Sequence, residues 1–243
     1  MTDILIRFKS LIITAAIIIF GVLFLISPYF NFVEVTVVGN YQISTEEILE
    51  RSGLNRTANF FLFNTRRAGY DIMENHYIDQ VIFNRTFPGY LEVIIRERFI
   101  SGYIEFQEGM FLYIDENGRA IEVRSYMEAE LPIISGLRFT QVHMGEILEV
   151  ENPEAFNTVV VFARLLNQHG LAGIISQLDV SDVNNTRIRL YNIEVNFGDT
   201  QNAQEKVLTL REIVDVWPAV RDAIGFLDLR NPGSEQILFR NLT

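Results

Sequence analysis

The chain has 243 residues, of which 49% are hydrophobic and none is cysteine, and its formal net charge is −11. This acidic balance argues against nucleic-acid binding, which requires a basic face, and against docking on anionic lipid headgroups. The absence of cysteine means that no disulfide contributes to folding, so the protein is held together by packing alone.

The first part of the chain contains one long apolar segment. Residues 10–33 carry no charge, and Leu11 to Ile26 are interrupted by nothing more polar than Thr14. A bilayer core requires about 20 apolar helical residues, so the sequence predicts one transmembrane helix at 11–31.

Basic residues flank this segment on its N-terminal side only. Arg7 and Lys9 precede it, and no Lys or Arg follows until Arg51. The positive-inside rule therefore predicts a cytoplasmic tail at 1–10, with the rest of the chain outside the cytoplasm on an inner (plasma) membrane. A cleaved signal peptide is the alternative, but the bulky residues at 27–32 occupy positions where the peptidase requires small ones.

A small α+β domain is predicted at 32–98. The pattern assigns strand, helix, helix, strand and strand, in that order, to residues 32–39, 44–53, 65–75, 79–85 and 90–98. Ser44 is expected to cap the first helix, with Glu47 returning the hydrogen bond in a capping box. Asn64 is expected to cap the second helix, whose Met73 is predicted to face inward.

Two motifs accompany this order of elements. Val35–Ile48 reads V-x-V-x-G-x-x-x-x-S-x-E-E-I, and Phe87–Arg98 reads F-P-G-x-L-x-V-x-I-x-E-R. Together they resemble a POTRA domain, most closely that of the FtsQ/DivIB bacterial cell-division family, where it directly follows a single N-terminal anchor. Family members also carry a proline in the closing turn and an E-R pair at the strand end, which Pro88 and Glu97-Arg98 match.

A larger mixed β-sheet domain with packed helices is predicted at 99–243. Strands are assigned to 103–106, 111–114, 119–123, 176–179, 187–191, 193–197, 226–230 and 236–240, and helices to 152–170 and 202–217. The Asn-Gly pair within 115–118 predicts a hairpin, since it tolerates positive φ at both central positions. Leu208 is expected on the inner face of the second helix. Tyr113–Arg119 and Leu131–Gly136 resemble a hairpin and a loop of the same family, so the resemblance spans nearly the whole chain.

No catalytic pattern with adequate spacing is present. The histidines are His76, His143 and His169, none lies in an H-E-x-x-H motif, and no cysteine is available to share a metal with them. Carboxylate pairs such as Glu128/Glu130 are better explained as solvated surface in a chain with 31 acidic residues. The sequence therefore predicts a protein that is not an enzyme and has no catalytic residue, metal site or cofactor. An anchored cell-wall hydrolase is the less favoured alternative.

The resemblance implies a function. FtsQ/DivIB proteins are non-enzymatic single-pass scaffolds of the divisome that associate with FtsL-type and FtsB/DivIC-type bitopic partners and help to regulate septal peptidoglycan synthesis. In the family, the last strand of the second domain presents an open edge to which a partner adds a strand. Carried over, the partner-binding residues here are Phe226, Leu227, Leu229, Arg230, Gln236, Ile237, Leu238, Phe239 and Arg240. Arg230 is expected to pair with an acidic partner residue, and Phe239 to supply an aromatic anchor.

The resemblance leaves other roles open. The exposed edge of the second POTRA strand is a further candidate surface for membrane partners. An anchored secretion or envelope-assembly adaptor that uses a POTRA domain is the alternative to a divisome scaffold.

Overall fold

The computed structural model describes residues 2–55, 57–128, 130–232 and 238–241. The chain divides into two compact units, Met1–Glu97 (unit 1) and Arg98–Thr243 (unit 2), one residue before the predicted domain boundary. Both units combine helices with mixed β-sheets, which confirms the predicted α+β fold class.

The chain begins with one long helix, α1 (Thr2–Ile26). Its stretch Phe8–Ile26 has 19 residues and is long and apolar enough to cross a membrane, and none of it is buried within the protein. The helix starts earlier than the predicted span because the charged tail continues the same helical path. It ends at Ile26, where Ser27 and Pro28 begin a single 3₁₀ turn.

Unit 1 continues with β1 (Glu34–Val38), α2 (Thr45–Ser52), α3 (Thr65–Met73), β2 (Ile78–Thr86) and β3 (Tyr90–Glu97). The three strands form a sheet in the order β1-β3-β2, with β1 parallel and β2 antiparallel to the central β3. Alternate residues of β3 are buried, together with one residue from each helix and the residue at the start of β2. The core is Phe32, Ile48, Ile72, Ile78, Leu91, Val93 and Ile95.

The helix ends of unit 1 follow the predicted capping chemistry, with one exception. Ser44 accepts a hydrogen bond from the Glu47 N–H at 3.1 Å, and Asn64 caps α3 in the same way. Glu47 does not complete the capping box, because its carboxylate instead bonds Arg51 at 2.9 Å and Asn75 at 3.0 Å. Met73 was wrongly predicted to face inward: it is 37% exposed, and the last turn of α3 turns it to solvent.

The E-R pair that ends β3 holds structure on both sides of the unit boundary. The Glu97 carboxylate accepts the backbone N–H groups of Tyr41, Gln42 and Ile43, at distances of 2.9 to 3.1 Å. Arg98, the first residue of unit 2, approaches the buried carboxylate of Asp115 at 3.4 Å. Each member of the pair therefore fixes a loop of its own unit.

Unit 2 contains one large sheet with helices on one face and a small hairpin. Its elements are β4 (Ile100–Gln107), β5 (Met110–Asp115), β6 (Ala120–Arg124), β7 (Ile133–Ser135), β8 (Phe139–Gln141), β9 (Glu149–Val150), α4 (Pro153–Gln168), β10 (Ile175–Asp179), β11 (Thr186–Leu190), β12 (Ile193–Gly198), α5 (Ala203–Val216), β13 (Gly225–Asp228) and β14 (Leu238–Asn241). Nine strands pair in the order β14-β13-β12-β11-β10-β7-β4-β5-β6, while β8 and β9 pair with each other.

The short strand β7 joins the two halves of the large sheet, and the sequence did not predict it. It pairs in parallel with β10 over three residues and with β4 at a single pair. Gly136 directly after it has a φ of +86°, and a Cβ there would lie 2.2 Å from the backbone nitrogen of Ser181. The family-like segment Leu131–Gly136 is therefore a strand with a glycine-dependent close approach rather than a loop.

The hairpin between β5 and β6 forms at the predicted place with a different turn. Gly118 alone of the four turn residues has a positive φ, +74°, so Asn117 does not adopt the expected left-handed conformation. Asp115 accounts for the difference, because its buried carboxylate accepts the N–H groups of Asn117 at 2.8 Å and Arg119 at 2.9 Å. The result is a tight turn closed by one left-handed glycine.

The two long helices cover one face of the large sheet. Phe162 of α4 stacks on Phe197 of β12 with ring centroids 4.9 Å apart. Leu208 of α5 was wrongly predicted to face inward: it is 40% exposed, and the buried residues of the helix are Ala203, Lys206, Val207 and Leu210. The inward face includes Lys206 because its ammonium group reaches the carbonyl of Asp199 at 2.9 Å and its carboxylate at 3.1 Å.

Candidate partner-binding edge

The last two strands of the large sheet hold most of the residues predicted to bind partners. β13 runs parallel to β12, and β14 runs antiparallel to β13. Among the described residues β14 pairs with β13 alone, so it is the terminal strand of the nine. A terminal strand carries backbone N–H and C=O groups that point away from the sheet.

The hydrogen bonds of β13 alternate between its two neighbours. Leu229, directly after the strand, donates its N–H to the carbonyl of Asn196 in β12 at 2.8 Å. Residues two apart in a strand point their backbone groups to the same side. Leu227 therefore directs its backbone groups toward β12 as Leu229 does, whereas Phe226 and Asp228 direct theirs toward β14.

This alternation decides which backbone groups of β14 face outward. Phe226 lies opposite Arg240, and Asp228 lies opposite Leu238. Because Phe226 and Asp228 direct their groups toward β14, Arg240 and Leu238 direct theirs back toward β13. Phe239, between them, turns its N–H and C=O to the outer side of the sheet.

The side chains of β13 divide between the core and the opposite face of the sheet. Leu227 is 2% exposed and Leu229 is fully buried, so their side chains belong to the core. Phe226 is half-buried and Arg240 is exposed, and the two form a cross-strand pair on the face away from the helices. Of these four residues, Phe226 and Arg240 present side-chain surface beside the edge.

Phe239 and Arg230 have partners within the chain. The Phe239 ring packs edge-on against Trp217, with centroids 4.9 Å apart, on the helix-covered face. Arg230 bonds Asp228 at 2.6 and 2.9 Å. This ion pair, opposed by partial burial, lowers the pKa of the Asp228 carboxyl and raises the pKa of the Arg230 guanidinium. Their predicted contacts with a partner stay predictions.

Two of the predicted residues cannot be placed. Gln236 and Ile237 lie outside the described residues, and for Leu238 only the backbone is described. The described members are therefore brought together on one pair of strands, whereas the turn that joins the strands is not characterised.

Comparison with known proteins shows which family the chain resembles. A sequence model of the FtsQ-type POTRA domain matches residues 30–98. The chain is 26% identical to cell division protein DivIB of Clostridium botulinum (strain Loch Maree / Type A3) over 208 residues, which is 85% of this chain and 81% of that protein. It is 26% identical to the DivIB of Clostridium tetani over 181 residues (74% and 68%), and 22% identical to cell division protein FtsQ of Corynebacterium glutamicum over 167 residues (61% and 75%). The chain is therefore similar to FtsQ/DivIB proteins over most of its length.

These similarities confirm the predicted resemblance to the FtsQ/DivIB family and support a role in the divisome. The relatives are named as cell division proteins and not as enzymes. Within the described residues, no group of three or more His, Cys, Asp or Glu side chains is placed to hold a metal ion.

The edge strand β6, at the opposite end of the large sheet, is partly covered by another segment of the chain, which sequence reasoning missed. The segment around residues 145–148 lies along β6: Ala120 donates to the carbonyl of Glu146 at 2.9 Å, and Gly145 donates to the carbonyl of Ala120 at 2.7 Å. Leu148 also donates to the carbonyl of Gly118 at 3.0 Å. Because no local pattern marks these long-range bonds, only the structure reveals that part of the β6 edge is covered.

Proposed function

We propose that the chain is a single-pass scaffold of the divisome that binds FtsL-type and FtsB/DivIC-type partners and helps to regulate septal peptidoglycan synthesis. The observation that carries the proposal is the position of β14 at the end of the nine-strand sheet, with the backbone groups of Phe239 turned outward. An added strand from the partner would satisfy such groups through main-chain hydrogen bonds.

The proposed topology places the N-terminus in the cytoplasm and both units outside it. The apolar stretch Phe8–Ile26 is about 28 Å long at about 1.5 Å per residue, close to the thickness of a bilayer core of about 30 Å. Arg7 and Lys9 favour the cytoplasmic side. Protease added outside spheroplasts should remove both units and leave the N-terminal tail protected.

Binding is tested with the full-length chain, co-expressed with the FtsL-type and FtsB/DivIC-type proteins of its own organism and purified in detergent. A truncation that removes residues 236–243 should abolish co-purification, because it removes β14. The matched control removes residues 242–243 and keeps β14, so it should retain the partners. Retained binding after the longer truncation would overturn strand addition at this edge.

The alternative role as an envelope adaptor is separated by localisation. A fluorescent fusion to the N-terminus of the full-length chain should form rings at midcell in dividing cells. A uniform envelope signal would favour the adaptor, and it would do so independently of whether the truncation abolishes partner binding.

A further inference from the structure

Unit 1 exposes an apolar face beside the end of α1. We name this face, made of Tyr29, Val33, Phe61, Leu62 and Phe87, the juxtamembrane apolar face. The exposed fractions are 77% for Tyr29, 71% for Val33, 46% for Phe61, 60% for Leu62 and 63% for Phe87. Ring contacts through Phe30 and Phe60 connect Tyr29, Phe61 and Phe87. Connected apolar side chains that are exposed in this way mark an interaction surface.

We propose that this face contacts the outer surface of the bilayer and gives unit 1 a second attachment to the membrane. Lipid is the proposed binding partner of this face, because the face adjoins the end of α1, whose apolar stretch is itself suited to a lipid environment. The inference rests on the proposed membrane span of α1, and it adds a contact from a loop that lies some 35 residues later in the chain.

Asn59 connects that loop to the end of α1. Its side-chain amide donates to the carbonyl of Leu25 at 2.9 Å, one of the last four carbonyls of the helix, which lack partners within it. The same side chain accepts the N–H groups of Phe61 at 2.9 Å and Leu62 at 3.2 Å. One residue, 9% exposed, thus positions the loop against the helix end.

A chain of aromatic rings sets the height of Phe61 relative to the helix. The Phe24 ring, in α1, contacts Phe30 with centroids 5.1 Å apart, and Phe30 contacts Phe61 at the same distance. If Ile26 marks the edge of the hydrocarbon, Phe24 lies about 3 Å inside it. Phe61 is two ring contacts away from Phe24, each of 5.1 Å. If both contacts ran along the membrane normal, Phe61 would lie about 7 Å above that edge, within a headgroup layer about 5 to 7 Å thick. Aromatic side chains favour this layer.

Local charge supports the same contact. Residues 51–70 contain four arginines and no acidic residue, whereas the whole chain has a net charge of −11. Arg66 and Arg67 are exposed in the first turn of α3, three residues beyond Phe63. Cations at a helix N-terminus oppose the helix dipole. Arg67 pairs with Asp71 at 3.7 Å but keeps 82% of its side chain exposed, so its charge stays accessible to an anionic headgroup. The net charge of the chain, which disfavours anionic lipid, does not represent this segment.

The contact is tested by tryptophan fluorescence of the full-length chain in vesicles. All variants carry Trp217→Phe, so that each reporter is the sole tryptophan. The reporters are Phe61→Trp on the face, Phe24→Trp in the helix, and Tyr41→Trp, a 92% exposed residue beyond the far end of β1. The vesicles contain phosphatidylcholine with a nitroxide on its headgroup, which quenches tryptophan in the headgroup layer and in the adjoining hydrocarbon.

The proposal expects the emission of Phe24→Trp and of Phe61→Trp to be quenched. The emission of Tyr41→Trp should be unchanged. If Phe24→Trp is quenched and Phe61→Trp is not, the helix inserts and the second contact is refuted. If neither is quenched, the membrane span itself fails. Quenching of all three reporters would show that a different face of unit 1 meets the lipid and would also overturn the proposal.

The contribution of the arginines is tested separately. Replacing part of the phosphatidylcholine by phosphatidylglycerol should increase the quenching of Phe61→Trp. Adding Arg66→Ala and Arg67→Ala should remove that increase, while the quenching in pure phosphatidylcholine persists. An increase that survives both substitutions would overturn the assigned electrostatic role.

Discussion

Replacing Phe239 by proline or by alanine separates main-chain recognition from side-chain recognition. Both substitutions remove the ring and its contact with Trp217. Because Phe239 is half-buried, the shared cost is about 2 kcal/mol, roughly half the cost of a fully buried Phe→Ala change. Only proline also removes the backbone N–H, which faces outward and makes no bond to β13. Edge strands tolerate proline where the N–H faces away from the sheet.

The two variants should therefore unfold alike and bind differently. Loss of one main-chain hydrogen bond costs about 1 kcal/mol, or about fivefold in Kd, and the proline ring further obstructs an incoming strand. The assay compares full-length variants in detergent for thermal unfolding and for affinity to the partner's extracytoplasmic segment. Arg240→Pro is the positional control, because its N–H faces β13 and its loss should detach β14 and lower stability.

Two results would refute this reasoning. Equal affinities of Phe239→Ala and Phe239→Pro at equal stability would show that the outward N–H does not bind the partner. A lower unfolding temperature for Phe239→Pro than for Phe239→Ala would show that this N–H is bonded within the sheet and that the assigned alternation is wrong.

Three further predictions concern the stability of the two units. Gly136→Ala should lower the free energy of unfolding by more than about 2 kcal/mol, seen as a lower urea midpoint, because its φ is +86° and a methyl would overlap the backbone after β10. Glu97→Gln should destabilise unit 1 by about 1 to 2 kcal/mol in thermal melts and increase amide exchange at 41–43, whose N–H groups its carboxylate accepts. The pairing with Arg230 lowers the pKa of Asp228. The ion pair should therefore stabilise the fold fully above the ordinary pKa of 3.8, and this stabilisation should decline as the pH falls through the lowered pKa. A stability difference between the parent protein and Arg230→Ala that persists at still lower pH would contradict this.

Local chemistry made much of the fold predictable. Ser44 and Asn64 bond to N–H groups three residues ahead, so their capping depends on sequence neighbours alone. Gly53 ends α2 in the left-handed conformation for the same local reason. The apolar length of α1 is likewise a property of one segment. These features are present in the structure as predicted, because distant residues do not compete with them.

Features that depend on distant partners were not predictable. β7 has three residues, too short for a periodic pattern, and it exists because β10 and β4 lie on either side of it. Lys206 reads as a surface residue, and only the approach of Asp199 makes its burial possible. Asn59 reads as a loop residue, although its side chain reaches Leu25, 34 positions earlier in the chain.

The predicted partner-binding edge was predictable only in part. The two strands were predicted from patterns near the end of the chain, and their use as a binding edge was predicted from the family resemblance. The side of β14 that faces outward follows from the bond between Leu229 and Asn196, two strands away. The sequence patterns did not indicate that Leu227 and Leu229 are buried. Their side chains are unavailable to a partner, which leaves the backbone and the outer-face pair Phe226 and Arg240.

This division would explain how the proposed interface tolerates the sequence divergence between this chain and relatives that are about 26% identical to it. Backbone hydrogen bonds do not depend on side-chain identity, so exposed positions of β14 can change without loss of the bonds. The core positions of β13 cannot change as freely, because a one-residue shift in register would move Leu227 to the solvent face and reverse the outward groups of β14. Conservation of function would then constrain the buried leucines that set the register more than the exposed residues nearest to the partner.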